Sequence, residues 1–81
     1  MKTFNALREM MRLRNLTQKD LIISTGISQS ALTKRFTGEQ EFSRLQMYQI
    51  LDKLELDYEF LPIIFPEDIY ESSPGWKINV N

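Results

Sequence analysis

The chain of 81 residues contains no cysteine and no histidine, and it has only three glycines. Without cysteine it can form no disulfide, thiolate metal site or thiol nucleophile. Without histidine it lacks the commonest metal ligand and the usual general base near neutral pH. Zinc fingers, Ser-His-Asp hydrolases and histidine-based metalloproteases are therefore excluded, and no glycine-rich phosphate-binding pattern occurs. The sequence thus favours a binding module that is not an enzyme, and we expect no cofactor and no metal.

Long apolar runs are also missing. The longest wholly apolar stretches are a few residues, against the roughly 18 that a membrane span needs. Residues 1–5 carry no apolar signal region, so we expect a cytoplasmic protein that does not contact a membrane. A chain this short buries only about 60% of its unfolded surface. Because such a small core is marginal alone, we expect an oligomer.

The net charge of −1 is the sum of two unlike halves. Residues 1–50 hold eight basic and four acidic side chains, whereas residues 51–81 hold two basic and seven acidic ones. Such asymmetry is typical of chains with separate interaction surfaces, although a small sample also produces it by chance. The basic half is compatible with nucleic acid as a partner.

Helix-start signals occur three times in the basic half. Thr17, Ser28 and Ser43 each precede an apolar-periodic segment, and a hydroxyl at this position caps a free backbone N–H. Asp20 and Gln46, three residues after the first and last of these, complete the pattern of a capping box. The sequence therefore predicts three short helices.

A first amphipathic helix is predicted over roughly residues 4–14, from apolar residues at helical spacing. Gly26 and Gly38 stand where a left-handed residue would end the second and third helices. Together these signals predict a four-helix cluster over residues 3–55.

After this cluster the period changes. Leu56, Tyr58 and Phe60 alternate with acidic residues, which predicts a β-strand that ends at Pro62 or lies at an edge. The stripe could pack on the chain's own helices, but a lone strand leaves backbone groups unpaired. Pairing with a second copy is therefore the favoured interpretation, and these three residues are candidate dimerisation residues.

The remaining tail is rich in aromatic and acidic residues. Trp76, Ile78 and Val80 alternate with polar residues as a possible last strand. We divide the chain into a helical domain over residues 1–56 and a tail over residues 57–81 for dimerisation or partner binding. Trp76 is a candidate partner anchor, although ordinary packing is the preferred interpretation.

The second and third predicted helices are joined by a tight connection centred on Gly26. This is the helix-turn-helix arrangement, in which the N-terminal part of the third helix enters the major groove. Amide, hydroxyl and ammonium groups can read base edges there, although the same residues could form an ordinary solvated face. The residues expected to face outward are Ser28, Gln29, Ser30, Thr33 and Lys34. Arg8, Arg12 and Arg14 of the first helix either contact phosphate or form its polar face.

The segments Leu16–Leu21, Gly26–Leu32 and Phe36–Gly38 match a known pattern in register, in their capping, glycine, apolar and amide positions. The chain resembles the phage repressors and Cro proteins and their relatives, the xenobiotic-response-element-type regulators, over roughly residues 4–56. The resemblance implies a mainly α, four- to five-helix, lambda-repressor-like domain, here with a C-terminal β-strand extension.

The resemblance also implies roles for individual residues. Gln18 would contact a phosphate and brace Gln29, while Gln29 and Ser30 would read bases and Lys34 would contact a base or a phosphate. Two positions depart from the family pattern. Ile22 stands where a small residue is usual, and Arg35 stands where an apolar one is usual. Either the third helix is rotated slightly, or Arg35 extends to a phosphate and is a further candidate DNA-binding residue.

A helix end followed directly by an alternating strand, over residues 50–60, is similar to HipB-type antitoxins. In that family the strand pairs with its copy, and the dimer binds a kinase-type toxin and represses its own operon. We expect a homodimeric transcriptional repressor that binds a palindromic double-stranded operator. The alternative is a HipB-like antitoxin whose tail binds a toxin or another protein, and a helix-turn-helix protein adaptor is a third possibility.

Overall fold

Five α-helices and one 3₁₀ turn make up residues 4–66, the part of the chain that the computed structural model describes. This confirms the expectation of a mainly helical domain. No helix within these residues has the length and apolar character that crossing a membrane requires. The elements are α1 (Asn5–Leu13), α2 (Gln18–Thr25), α3 (Gln29–Phe36), α4 (Arg44–Lys53), the 3₁₀ turn (Tyr58–Phe60) and α5 (Leu61–Ile64).

The three predicted helix starts are confirmed. The Thr17 N–H donates to Asp20 Oδ2 at 2.7 Å at the start of α2. At the start of α3, Ser28 Oγ accepts the Ala31 N–H at 3.0 Å. At the start of α4, Ser43 and Gln46 form a reciprocal capping box. These local bonds satisfy donors that a helix leaves free, and they fix where each helix begins.

The connection between α2 and α3 is three residues long. Gly26 has φ +77° and its N–H donates to Ile22 O at 2.8 Å, so it ends α2 in the left-handed conformation that was predicted. Gly38 has φ +85° just beyond α3. The two helices contact each other across this short turn, and α2, the turn and α3 are called the helix-turn-helix pair below.

A cluster of four phenylalanines closes the core. Phe4 packs edge-to-face on Phe36, Phe42 and Phe65, with ring centroids 5.5–6.4 Å apart. All four are buried, and they come from the chain start, the end of α3, the loop before α4 and the residue after α5. Edge-to-face pairs are the favoured aromatic geometry. The cluster therefore ties both ends of the described chain to the helix-turn-helix pair.

The strand predicted at Leu56, Tyr58 and Phe60 was wrong. The chain forms the 3₁₀ turn and then α5 instead, with the Phe60 N–H bonded to Asp57 O at 3.0 Å. Two physical reasons explain this. Leu56, Phe60 and Ile64 are four residues apart, so a helical turn aligns them as well as a strand aligns alternate residues. Pro62 also lies in the first turn of α5, where its missing N–H costs no hydrogen bond.

Each of the three candidate dimerisation residues has contacts within its own chain. Leu56 and Phe60 are half-buried against the core. Tyr58 is exposed and stacks on Tyr48 with centroids 4.4 Å apart, while its hydroxyl donates to Asp52 Oδ2 at 3.1 Å. That hydrogen bond raises the pKa of Tyr58 above its ordinary value. The core also continues past residue 56, because α5 is part of it; Trp76 and the possible last strand lie outside the described residues.

Candidate nucleic-acid interface

The exposed face of α3 carries the residues that were predicted to face outward. Leu32 and Phe36 are buried and hold the helix against the core, and Ala31 is half-buried. The opposite face is polar and solvent-exposed, from the N-cap to the second turn of α3. Its members are Ser28, Gln29, Ser30, Thr33 and Lys34. The structure thus leaves all five accessible to a partner.

A hydrogen bond joins the first residues of the two helices. Gln29 Nε2 donates to Gln18 Oε1 at 2.9 Å, across eleven residues of sequence. The same nitrogen lies 3.4 Å from Thr33 Oγ1, one turn further along α3. Two acceptors therefore hold the Gln29 amide, which would otherwise be a freely rotating exposed side chain. The interaction between Gln18 and Gln29 is the one that the family resemblance implied.

Ser28 is already engaged in capping. Its hydroxyl oxygen accepts the Ala31 N–H, and its own proton remains available to a partner as a donor. A substitution of Ser28 would therefore weaken the start of α3 as well as any contact outside the chain. Ser28 is not a clean probe of binding, whereas Gln29 and Lys34 do not cap the helix.

Arg35 is the candidate whose surroundings differ most from the expectation. It is half-buried, and its guanidinium bonds to groups of its own chain rather than extending away from the domain. Nη1 donates to Ala31 O at 2.9 Å and to Gln40 Oε1 at 3.1 Å, and Nε donates to Gln46 Oε1 at 3.1 Å. The sequence predicted Gln46 as a capping residue, but no local pattern indicated that it or Gln40 would meet Arg35.

The arginines of α1 also have partners within the chain. Arg8 lies 4.7 Å above the Phe36 ring, Arg12 Nε donates to Glu9 Oε1 at 3.1 Å, and Arg14 lies 3.8 Å from Glu55. The bond to Arg12 lowers the pKa of the exposed Glu9 carboxyl. A cleft of about 250 Å³ separates α1 from the start of α2 and the end of α3. It is lined by Arg8, Met11, Arg12, Leu16, Gln18 and Phe36.

The α2 N-terminus has an acidic side chain in its first turn. Asp20 accepts the Thr17 N–H, and this bond lowers the pKa of the carboxyl below its ordinary value. The ionised carboxylate also complements the positive end of the helix dipole. Gln18, at the first position of the same helix, is thereby held in a turn with a fixed start.

No group of three or more acidic side chains in residues 4–66 is arranged to hold a metal ion. Comparisons of the chain with protein-family models, curated proteins and solved structures found no match. A functional assignment must therefore be argued from the geometry of the helix-turn-helix pair.

Proposed function

We propose that this protein is a sequence-specific DNA-binding transcriptional repressor of the helix-turn-helix class. The observation that carries the proposal is the hydrogen bond from Gln29 to Gln18, which fixes an amide on the exposed start of α3. An amide held in this way loses less conformational entropy on contacting a base edge than a mobile one.

In the proposed complex α3 lies in the major groove. Gln29 and Ser30, on its first turn, face base edges, because an amide matches adenine and a hydroxyl matches any base. Lys34 is exposed one turn further on and reaches a base or a phosphate. Gln18 contacts a phosphate from the start of α2 while its carbonyl oxygen holds Gln29.

The protein would act as a homodimer on a palindromic operator. One recognition helix of eight residues contacts few base pairs, whereas two copies about one helical turn apart reach a regulator's affinity. An apolar groove of about 310 Å³ between α1 and α5 offers surface for association. Ile63 is exposed beside this groove.

The antitoxin alternative has less support within residues 4–66. Its resemblance depended on a strand over residues 56–60, which in the structure is a 3₁₀ turn that leads into α5. We therefore do not propose toxin binding as a second function.

The proposal is tested by selecting operators from random duplexes with the full chain and measuring binding across salt concentrations. Gln29→Ala should relax discrimination by about 1–3 kcal/mol at one or two base pairs. Gln49→Ala is the matched control, because Gln49 lies on α4 beside Ser24 and Lys53 and should leave specificity unchanged. Equal weakening on every sequence would remove Gln29 as a base reader. Absence of any salt-dependent binding to duplex DNA by the unmodified chain would contradict the proposed function itself.

A further inference from the structure

We propose that Arg35 is a positioning residue that sets the orientation of the recognition helix by fastening α3 to the start of α4. The proposal rests on the proposed DNA-binding function and deepens it. It concerns a position at which the resemblance implies an apolar side chain, so the role belongs to this chain rather than to the pattern it resembles.

The three hydrogen bonds of the guanidinium span three parts of the structure. Ala31 O belongs to α3 one turn back, Gln40 Oε1 belongs to the α3–α4 loop, and Gln46 Oε1 belongs to α4. Arginine presents several N–H groups in a rigid plane, so one side chain can satisfy acceptors in several directions. The bond to Gln46 joins α3 to α4, so a change in the angle between these helices would strain that bond first.

Gln46 shares its oxygen between two donors. Gln46 Oε1 accepts the Ser43 N–H at 2.9 Å as part of the capping box, and it accepts Arg35 Nε at 3.1 Å. The group that fixes where α4 begins is therefore the same group that holds Arg35. This bond transmits the position of α4 directly to the last turn of α3.

The loop between α3 and α4 places the Gln40 side chain beside Arg35. The N–H groups of Glu39 and Gln40 both donate to Lys34 O, at 2.9 and 3.1 Å, and Gly38 adopts a left-handed φ. The chain thus folds back over the end of α3, which brings the Gln40 side chain to Arg35. Lys34, whose carbonyl receives these bonds, also carries one of the outward side chains.

A direct phosphate contact by Arg35 is the competing role, and two substitutions separate the roles. Arg35→Lys keeps the charge but loses the planar fork, and Arg35→Met loses both. A positioning role predicts that Lys and Met behave alike, since Lys has a single nitrogen in place of the separate Nε and Nη1 that Arg35 uses, and Met has none. A phosphate role predicts that Lys resembles the unmodified protein and that Met lowers the slope of log K against log salt by about 1.

The experiment measures binding of the full-length variants to the selected operator and to an unrelated duplex across salt. We expect both variants to lower the ratio of operator affinity to unrelated-duplex affinity by about fivefold or more, because one base contact that loses its alignment costs about that much discrimination. The salt slope should be unchanged. Lys53→Met is the control, because it removes an exposed charge at the end of α4, outside the proposed interface, and should leave both the ratio and the slope unchanged. A normal ratio in Arg35→Lys, or a lowered slope in Arg35→Met, would overturn the proposal.

Amide hydrogen exchange gives a readout that does not depend on DNA. Arg35→Lys should speed exchange at Ser43 and Gln40, whose N–H bonds lie in the segment that Arg35 holds, and unchanged exchange would overturn the proposal. Gln40→Ala removes a single acceptor and should shift exchange and the affinity ratio in the same direction by less, which provides the test if the Arg35 variants fail to fold. If the unmodified protein binds no DNA, the proposed function fails, whereas the exchange result still decides whether Arg35 holds the loop.

Discussion

Ile63 and Ile64 are chemically identical neighbours in α5 that differ in burial. Ile64 is 1% exposed and belongs to the core, whereas Ile63 is 57% exposed. Truncation of Ile64 to alanine removes three buried carbons, worth about 0.8 kcal/mol each in transfer free energy, and leaves a cavity. We therefore expect Ile64→Ala to lower the free energy of unfolding by about 2.5–4 kcal/mol. Ile63→Ala should lower it by less than about 1 kcal/mol, partly offset by the better helix propensity of alanine.

These magnitudes are large for a chain of this size, whose total stability is about 4–12 kcal/mol. Urea unfolding followed by far-UV circular dichroism, with the slope m compared between variants, would measure both changes. Ile64→Ala should also lower the melting temperature by more than about 10 °C. Similar small losses for the two variants would show that α5 is not part of the core. The interpretation of α5 as part of the core rather than of a tail would then be refuted.

Two further predictions concern local features of α2. Because the Thr17 N–H lowers the pKa of Asp20, the folded state favours the ionised carboxylate; this stabilisation is complete above the ordinary value of 3.8 and is lost as pH falls through the folded pKa. Asp20→Asn should therefore flatten the fall in stability below about pH 4, measured by urea unfolding at a series of pH values, and an unchanged acid profile would contradict this. Gly26→Ala should cost about 1–2 kcal/mol through its φ of +77° alone, since a Cβ there would meet no atom within 4 Å. Gly26→Asn should lower the free energy of unfolding by less than Gly26→Ala in the same denaturation assay, because asparagine adopts a left-handed φ more readily than alanine. Equal losses for the two variants would point to a steric cause.

The helix starts could be predicted because their signals are local. A serine or threonine cap bonds a backbone N–H two or three residues away, so the sequence window contains both partners. The same holds for Gly26, whose left-handed φ is fixed by the end of its own helix. The exposed face of α3 followed from these starts, because helical periodicity then decides which side chains point inward.

The C-terminal segment could not be predicted in the same way. Over the five residues from Leu56 to Phe60, alternation and helical spacing both place apolar residues on one side. What favours the helix is burial of Leu61, Ile64 and Phe65 together with Phe4, which is about sixty residues away in sequence. The contacts of Arg35 could not be predicted for the same reason, since its partners Gln40 and Gln46 are identified only by the path of the loop.

Several cations of the basic half of the chain have partners within the chain. Arg35 bonds inside the domain, Arg12 is paired with Glu9, and Arg14 lies near Glu55. Arg12 and Arg14 are in exposed pairs and can exchange their partners for phosphates, whereas the guanidinium of Arg35 is held by three bonds. If the proposed function is right, Arg35 should therefore add little to the salt-dependent, sequence-independent part of DNA binding. The exposed face of α3 instead offers an amide and hydroxyl groups, with Gln29 already held by Gln18. If the proposed function is right, discrimination between sequences must come from these neutral groups, whose contacts depend on alignment far more than on charge.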